Sequence, residues 1–174
     1  MLKRIMAIVF AVVLLSVSAF CFAEGGYGDH DTEHRDTLDD SVNYLKPVLS
    51  SGLSISKGYI FGVKAGTTAS VLKTSFVNPS KVTVDGTTSN QVAKTGTVVK
   101  YNGGEIDAAT VVISGDINCD GMVTVTDLTS AWLHISGLSP IGAETAEFAA
   151  ADNDNNGTVN VVDVAAIRKI ILSK

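Results

Sequence analysis

Asp116, Asn118 and Asp120 stand at alternate positions in GDINCDGMVTVTD, residues 115–127. Gly121 follows directly, and Asp127 closes the stretch. The phrase returns as ADNDNNGTVNVVD at 151–163, with Asp152, Asp154, Asn156, Gly157 and Asp163 in the same register 36 residues later. Side-chain oxygens at the first, third and fifth places of a tightly curled loop converge on one point. Glycine at the sixth place permits the turn that lets the seventh backbone carbonyl, on Met122 or Thr158, face inward. An acid at the twelfth place, in the first turn of a following helix, closes the cage. This is the chemistry of a hard cation that takes many oxygens in a flexible shell, which favours Ca2+ over the small octahedral Mg2+. The pattern predicts two Ca2+ ions, held by Asp116, Asn118, Asp120, Met122 and Asp127, and by Asp152, Asp154, Asn156, Thr158 and Asp163. Val123 and Val159, at the eighth places, are expected to set the two loops back to back.

The elements that must position these loops are legible around them. DLTSAWLHIS and DVAAIRKIIL carry helical apolar spacing, at Leu128, Ala131 and Ile135 and at Val164, Ile167 and Ile171. Pro140 marks a turn between them, and IGAETAEFAA reads as a middle helix with Ala146, Phe148 and Ala149 buried. Each loop therefore leads into its own exit helix, and the unit is used twice. The closing acid is Asp rather than Glu, so the helix must begin closer to the ion. A strand, ATVVIS, precedes the first loop where an ordinary EF-hand has a helix.

Upstream, residues 44–114 are rich in Val, Thr, Gly and Ser, a composition that favours strands. YIFGV, KVTVDG, TVVKY and ATVVIS read as strands, with Asn102-Gly103 and Asp85-Gly86 as turns. Thr67 or Thr68 caps a helix over TTASVLKTSF, with Val71, Leu72 and Phe76 on one face. The fold class is α+β: a small β-rich domain with one helix, then helices and loops. Tyr59, Phe61, Phe76 and Tyr101 admit two readings, a sugar-stacking platform or ordinary core packing, and core packing is the more economical.

The 174-residue chain opens with MLKRIM and an apolar run that ends near Cys21 and Ala23. This reads as a secretory signal peptide, residues 1–23, because the run is short for a bilayer span. Bulky Phe20 argues against a lipid-bearing Cys21. Residues 24–43 read as a flexible polar leader. Without the signal, 11 basic residues face 18 acidic ones. That balance, near −7, argues against nucleic acid as a partner, and no span is expected after signal removal. Cys119 then stands alone, so no internal disulfide is available and something else must staple a small fold.

The repeat resembles the type I dockerin, the calcium-dependent docking module of cellulosomal proteins. The resemblance covers Gly115 to about Ser173 and both duplicated motifs, and sets domain limits of 44–114 and 115–174. It implies a three-helix fold with two EF-hand-like calcium loops that binds a cohesin module of a scaffoldin, in a secreted, extracellular or cell-surface complex of a bacterium engaged in polysaccharide degradation. It further implies partner contacts from Val125, Thr126, Trp132, Leu133 and Gly137 in the first unit. In the second unit the implied contacts are Val161, Val162, Arg168, Lys169 and Ser173. Arg168-Lys169 fits the family's basic pair and Trp132-Leu133 departs from it, which argues against two interchangeable docking orientations. Trp132 and Leu133 also lie off the Leu128–Ala131–Ile135 face, so at least one is expected at the surface, where aromatics commonly anchor interfaces. The upstream segment more weakly resembles small sheet domains that precede dockerins in other secreted bacterial proteins, and that likeness carries no activity.

Three catalytic readings are weaker. HDTEH, residues 30–34, spells an inverted zinc-protease motif but lies in the polar leader with no apolar face to hold it. A glycoside-acting site needs two opposed carboxylates. The acids of the β-rich segment are Asp85, Glu105 and Asp107, and roughly 70 residues is small for such a fold. Cys119 sits inside a loop without a histidine partner. The expectation is a non-catalytic interaction protein, with a carbohydrate-binding component and a minimal glycoside-acting enzyme as alternatives.

Overall fold

A computed structural model describes residues 44–102 and 107–173. The expected signal peptide, the leader with HDTEH, Gly103 and Glu105 lie outside these residues. The described chain is mixed α+β, with a five-stranded sheet and four helices. Its strands are β1 (Ser54–Ser56), β2 (Tyr59–Phe61), β3 (Val82–Val84), β4 (Val98–Tyr101) and β5 (Asp107–Val111). Its helices are α1 (Ala69–Thr74), α2 (Val125–Ile135), α3 (Ala146–Ala151) and α4 (Val161–Leu172). Among the described residues, no helix is long and apolar enough to cross a membrane.

The sheet order is β1-β2-β5-β4-β3. β3, β4 and β5 form an antiparallel meander, in register from Val82↔Tyr101 to Tyr101↔Asp107. The meander returns β5 to the side of β2, where the two run parallel, with Ile60 opposite Val111. Strand alternation sets the core face. Val99 and Tyr101 of β4 and Ala109 and Val111 of β5 are buried, while the residues between them within each strand are less so. The edge strand β1, Ser-Ile-Ser, is exposed along its length, and its two serines suit a free edge.

α1 is capped by Thr68, whose hydroxyl accepts from the Val71 amide. Its buried face is Ala69 and Leu72, continued by Phe76 beyond the helix end. Val71 does not share that face and is 56% exposed. Positions 69, 72 and 76 follow the i, i+3, i+7 stripe, which leaves 71 about a quarter-turn away. Phe76 leaves the helix and bridges to Pro47. α2 and α4 each start two residues earlier than their apolar spacing indicates. α3 is shorter than expected, because Thr145 caps it by accepting from the Phe148 amide. Its buried residues are Ala146, Ala150 and Ala151, with Phe148 and Ala149 only partly buried.

The main core runs without a break from the sheet into the helices. Ile60, Val99 and Val111 belong to one cluster with Ile113, Val123, Val159 and Ile167. A smaller cluster packs Tyr59, Phe61 and Val112 against Ala146 and Ala150 of α3. The Tyr59 hydroxyl donates to the Glu144 carbonyl at 2.8 Å, and the Gly115 amide donates to the Ala150 carbonyl at 2.8 Å.

Candidate metal centre

The two loops turn alike. Cys119 and Asn155, both at the fourth place, adopt left-handed backbone at φ 59° and 56°. Gly121 and Gly157 follow at φ 84° and 85°, a conformation that a side chain strains. The first acid folds back over the turn in each. Asp116 accepts from the amides of Asp120 and Gly121, and Asp152 from those of Asn156 and Gly157. The odd-numbered places then bond forward. Asn118 Oδ1 accepts from the Asp120 amide and Asp120 Oδ1 from the Met122 amide. Asp154 Oδ1 and Asn156 Oδ1 do the same for Asn156 and Thr158.

The closing acids sit at the third position of their helices and form a capping box in each. Asp127 Oδ2 accepts from the Thr124 amide at 2.8 Å, and Asp163 Oδ2 from the Asn160 amide at 2.9 Å. The other oxygen reaches back across the loop. Asp127 Oδ1 accepts from Ile117 and Asn118, and Asp163 Oδ1 from Asn153 and Asp154. Thr124 and Asn160, absent from the sequence-based ligand set, thus aim the twelfth-place acids. Their signal was present as T-x-x-D and N-x-x-D ahead of an apolar run, a variant of the capping box.

The electrostatics are unbalanced. Asp116, Asp127, Asp152 and Asp163 are all buried, three of them with no exposed surface. The backbone amides around them are neutral dipoles, the ion pair between Lys100 and Asp85 lies on β4 and beyond β3 rather than at the loops, and Lys94 is a cation near enough to the first loop to act on Cys119. Buried carboxylates ordinarily need a cation or a proton. In the second loop, oxygens of Asp152, Asp154 and Asp163 lie within 4.8 Å of one another, a spacing that can hold a metal ion. Among the described residues the carboxylates of Asp116, Asp120 and Asp127 in the first loop do not converge in this way, and an amide, Asn118, stands where the second loop has Asp154. Met122 and Thr158 directly follow the glycines, and the Thr158 carbonyl accepts from Asn160 Nδ2 at 3.4 Å. The donor set, oxygen throughout and mostly carboxylate, fits a hard divalent ion.

Cys119 is partly buried, and its thiol donates to Glu147 Oε1 at 3.6 Å. Burial, then the nearby carboxylates of Glu147 and Asp116, push its thiol up to about 12. Asp85 is ion-paired with Lys100, and Asp107 accepts from the Leu45 amide. The four aromatics Tyr59, Phe61, Phe76 and Tyr101 do not share one exposed face. Phe76 and Tyr101 are buried, and Tyr59 and Phe61 meet edge-to-face at 6.2 Å while packing towards α3.

The residues proposed to meet a partner are all at the surface. Val125, Thr126, Gly137, Val161, Val162, Arg168, Lys169 and Ser173 are exposed, as are Trp132 at 47% and Leu133 at 37%. They do not form one patch. Trp132 lines a cleft of about 630 Å³ between α2 and α4, together with Val161, Arg168, Lys169 and Leu172. Leu133 faces a second cleft of about 400 Å³, with Ile117, Ile141 and Glu147. Adjacent helical residues point about 100° apart, so Trp132 and Leu133 serve different surfaces.

No protein family, curated protein or solved structure matches the chain.

Proposed function

We propose that the chain is a secreted, non-catalytic interaction protein whose last sixty residues act as a dockerin. Two Ca2+ ions are held by the loops of residues 116–127 and 152–163, and the exit helices α2 and α4 present a surface to a cohesin. The observation that carries this reading is the duplicated loop. Both copies share left-handed turns at the fourth and sixth places and a closing acid aimed by a capping box, and both bury their first and last carboxylates. Bound calcium supplies the positive charge that these carboxylates lack. With the loops held, Asp127 and Asp163 fix the first turns of α2 and α4, and those helices carry Trp132, Arg168 and Lys169 to the surface.

Because the ion binds the folded loops, its binding energy adds to stability, by roughly 4 kcal/mol per site at a thousandfold excess over Kd. The cleft beside Trp132 combines apolar walls with two cations, which suits an acidic or amphipathic partner surface. The test is binding of the full chain to a panel of cohesins with and without calcium. Calcium-dependent capture by at least one cohesin is expected. Equal binding in chelator, or none across the panel together with no calcium uptake, defeats the reading.

A further inference from the structure

Resting on that calcium reading, we propose that the loop segment 92–95, which leads into β4, is a structural wall of the first loop alone, so that ion binding at Asp116 and closure of that segment against the loop are thermodynamically linked.

The contacts that carry this cross from one part of the chain to the other. The Thr95 amide donates to Asp116 Oδ2 at 2.9 Å, and the Gly66 amide donates to the Gly121 carbonyl at 3.0 Å. Gly121 is pressed against the same segment. A Cβ there would meet the Ala93 carbonyl oxygen and Val92 Cγ1, each at 2.9 Å. The segment is itself fixed within the sheet unit. The Ala93 amide donates to the Thr67 carbonyl, and Thr95 Oγ1 accepts from the Ile113 amide. The second loop has a different setting. Asp152 takes its hydrogen bonds from Asn156 and Gly157, within its own loop, and a Cβ on Gly157 would meet nothing within 4 Å.

Outer-shell hydrogen bonds fix the orientation of a ligand and so tune the ion it holds. For Asp116 one such bond comes from the turn that leads into β4, which makes Thr95 a positioning residue through its backbone. Linkage is reciprocal: a segment that favours the bound loop is favoured by the ion in turn.

The test is amide hydrogen exchange on the full chain, with and without calcium, in the wild type and in Gly121→Ala and Gly157→Ala. The two substitutions impose the same backbone strain, and only the first collides with that segment. Amides of Asn118 and Asp154 report occupancy of the two loops; those of Thr95 and Gly66 report the wall. Calcium is expected to slow exchange at Thr95 and Gly66 about tenfold or more in the wild type and in Gly157→Ala, and to lose that effect in Gly121→Ala. Should Gly121→Ala not fold, Asp116→Asn serves in its place, with the Asp154 response kept and the Thr95 response lost. Slowing at Asn118 and Asp154 without slowing at Thr95 and Gly66 overturns the linkage while leaving the calcium reading intact. Equal Thr95 responses in the two glycine variants overturn it as well. No response at Asn118 or Asp154 overturns the calcium reading itself, and the linkage with it.

Discussion

Asp116 and Asp152 hold the same place in two loops whose backbones turn alike, yet their surroundings diverge. Asp116 has no exposed surface and receives an amide from Thr95, in the turn before β4, whereas Asp152 is bonded within its own loop and followed by a run of exposed residues from Asp154 to Thr158. Repetition of a sequence phrase thus specifies a local turn without specifying its environment. The turn depends on neighbours a few residues away. The environment depends on which part of the chain packs over it, and the opening acid of the first loop is met by an amide from outside its loop, that of Thr95.

The sharpest way to break the comparison is to remove the first acid of each loop. Asp116→Ala removes an acceptor from three amides around a fully buried site; that of Asp120 keeps Asn118 Oδ1, while those of Thr95 and Gly121 lose the bond. Each buried donor left unpaired costs about 1–3 kcal/mol, so a loss of roughly 4 kcal/mol is expected in calcium. Asp152→Ala costs the Gly157 amide its acceptor, on an exposed residue, while the Asn156 amide keeps Asp154 Oδ1, and roughly 1 kcal/mol is expected. Urea unfolding of both variants measures the difference, and equal losses would remove the distinction between the loops.

A second contrast lies on α2. Trp132→Ala is expected to weaken cohesin binding by about 2 kcal/mol or more, some thirtyfold, while leaving stability within about 0.5 kcal/mol. Leu133→Ala, on the other cleft, is expected to leave binding within about threefold. Titration against a cohesin that binds the wild type decides it, and a larger effect from Leu133 would relocate the partner surface.

Smaller effects sharpen the picture. Thr124→Ala and Asn160→Ala remove the caps that aim Asp127 and Asp163, and each is expected to cost about 1 kcal/mol by denaturation. The Thr124 variant should be the more damaging if the first loop is the more constrained. Tyr59→Phe deletes the bond to the Glu144 carbonyl and is expected to cost about 0.5–1.5 kcal/mol. No loss on thermal melting would mean that the sheet and α3 are held by the apolar contact of Phe61 and Val112 alone.

What the sequence made legible was local or periodic. The loops, their exit helices, the Thr68 cap and the strands β3, β4 and β5 follow from spacing, capping and strand composition, because each is set within a few residues; the pairing of β3 with β4 across residues 85–97 is not. Val71 was misplaced because a helix of six residues gives too short a stripe to separate adjacent apolar side chains. The parallel pairing of β2 with β5 joins residues some fifty positions apart, and no local pattern encodes it. Tyr59 and Phe61 were recognisable as aromatics but not as the surface that meets α3. The wall over Asp116 was hidden for a different reason. Thr95, Gly66 and Ala93 act through backbone atoms, which side-chain identity does not report.

The central claim is that the duplicated loops bind calcium and that the ions hold the carboxy-terminal helices in place. Calorimetric titration of calcium into the chelator-treated full chain, paired with melting followed by circular dichroism, tests it most directly. The account predicts heat corresponding to two ions per chain and a clear rise in melting temperature. No heat and an unchanged melting curve would contradict it.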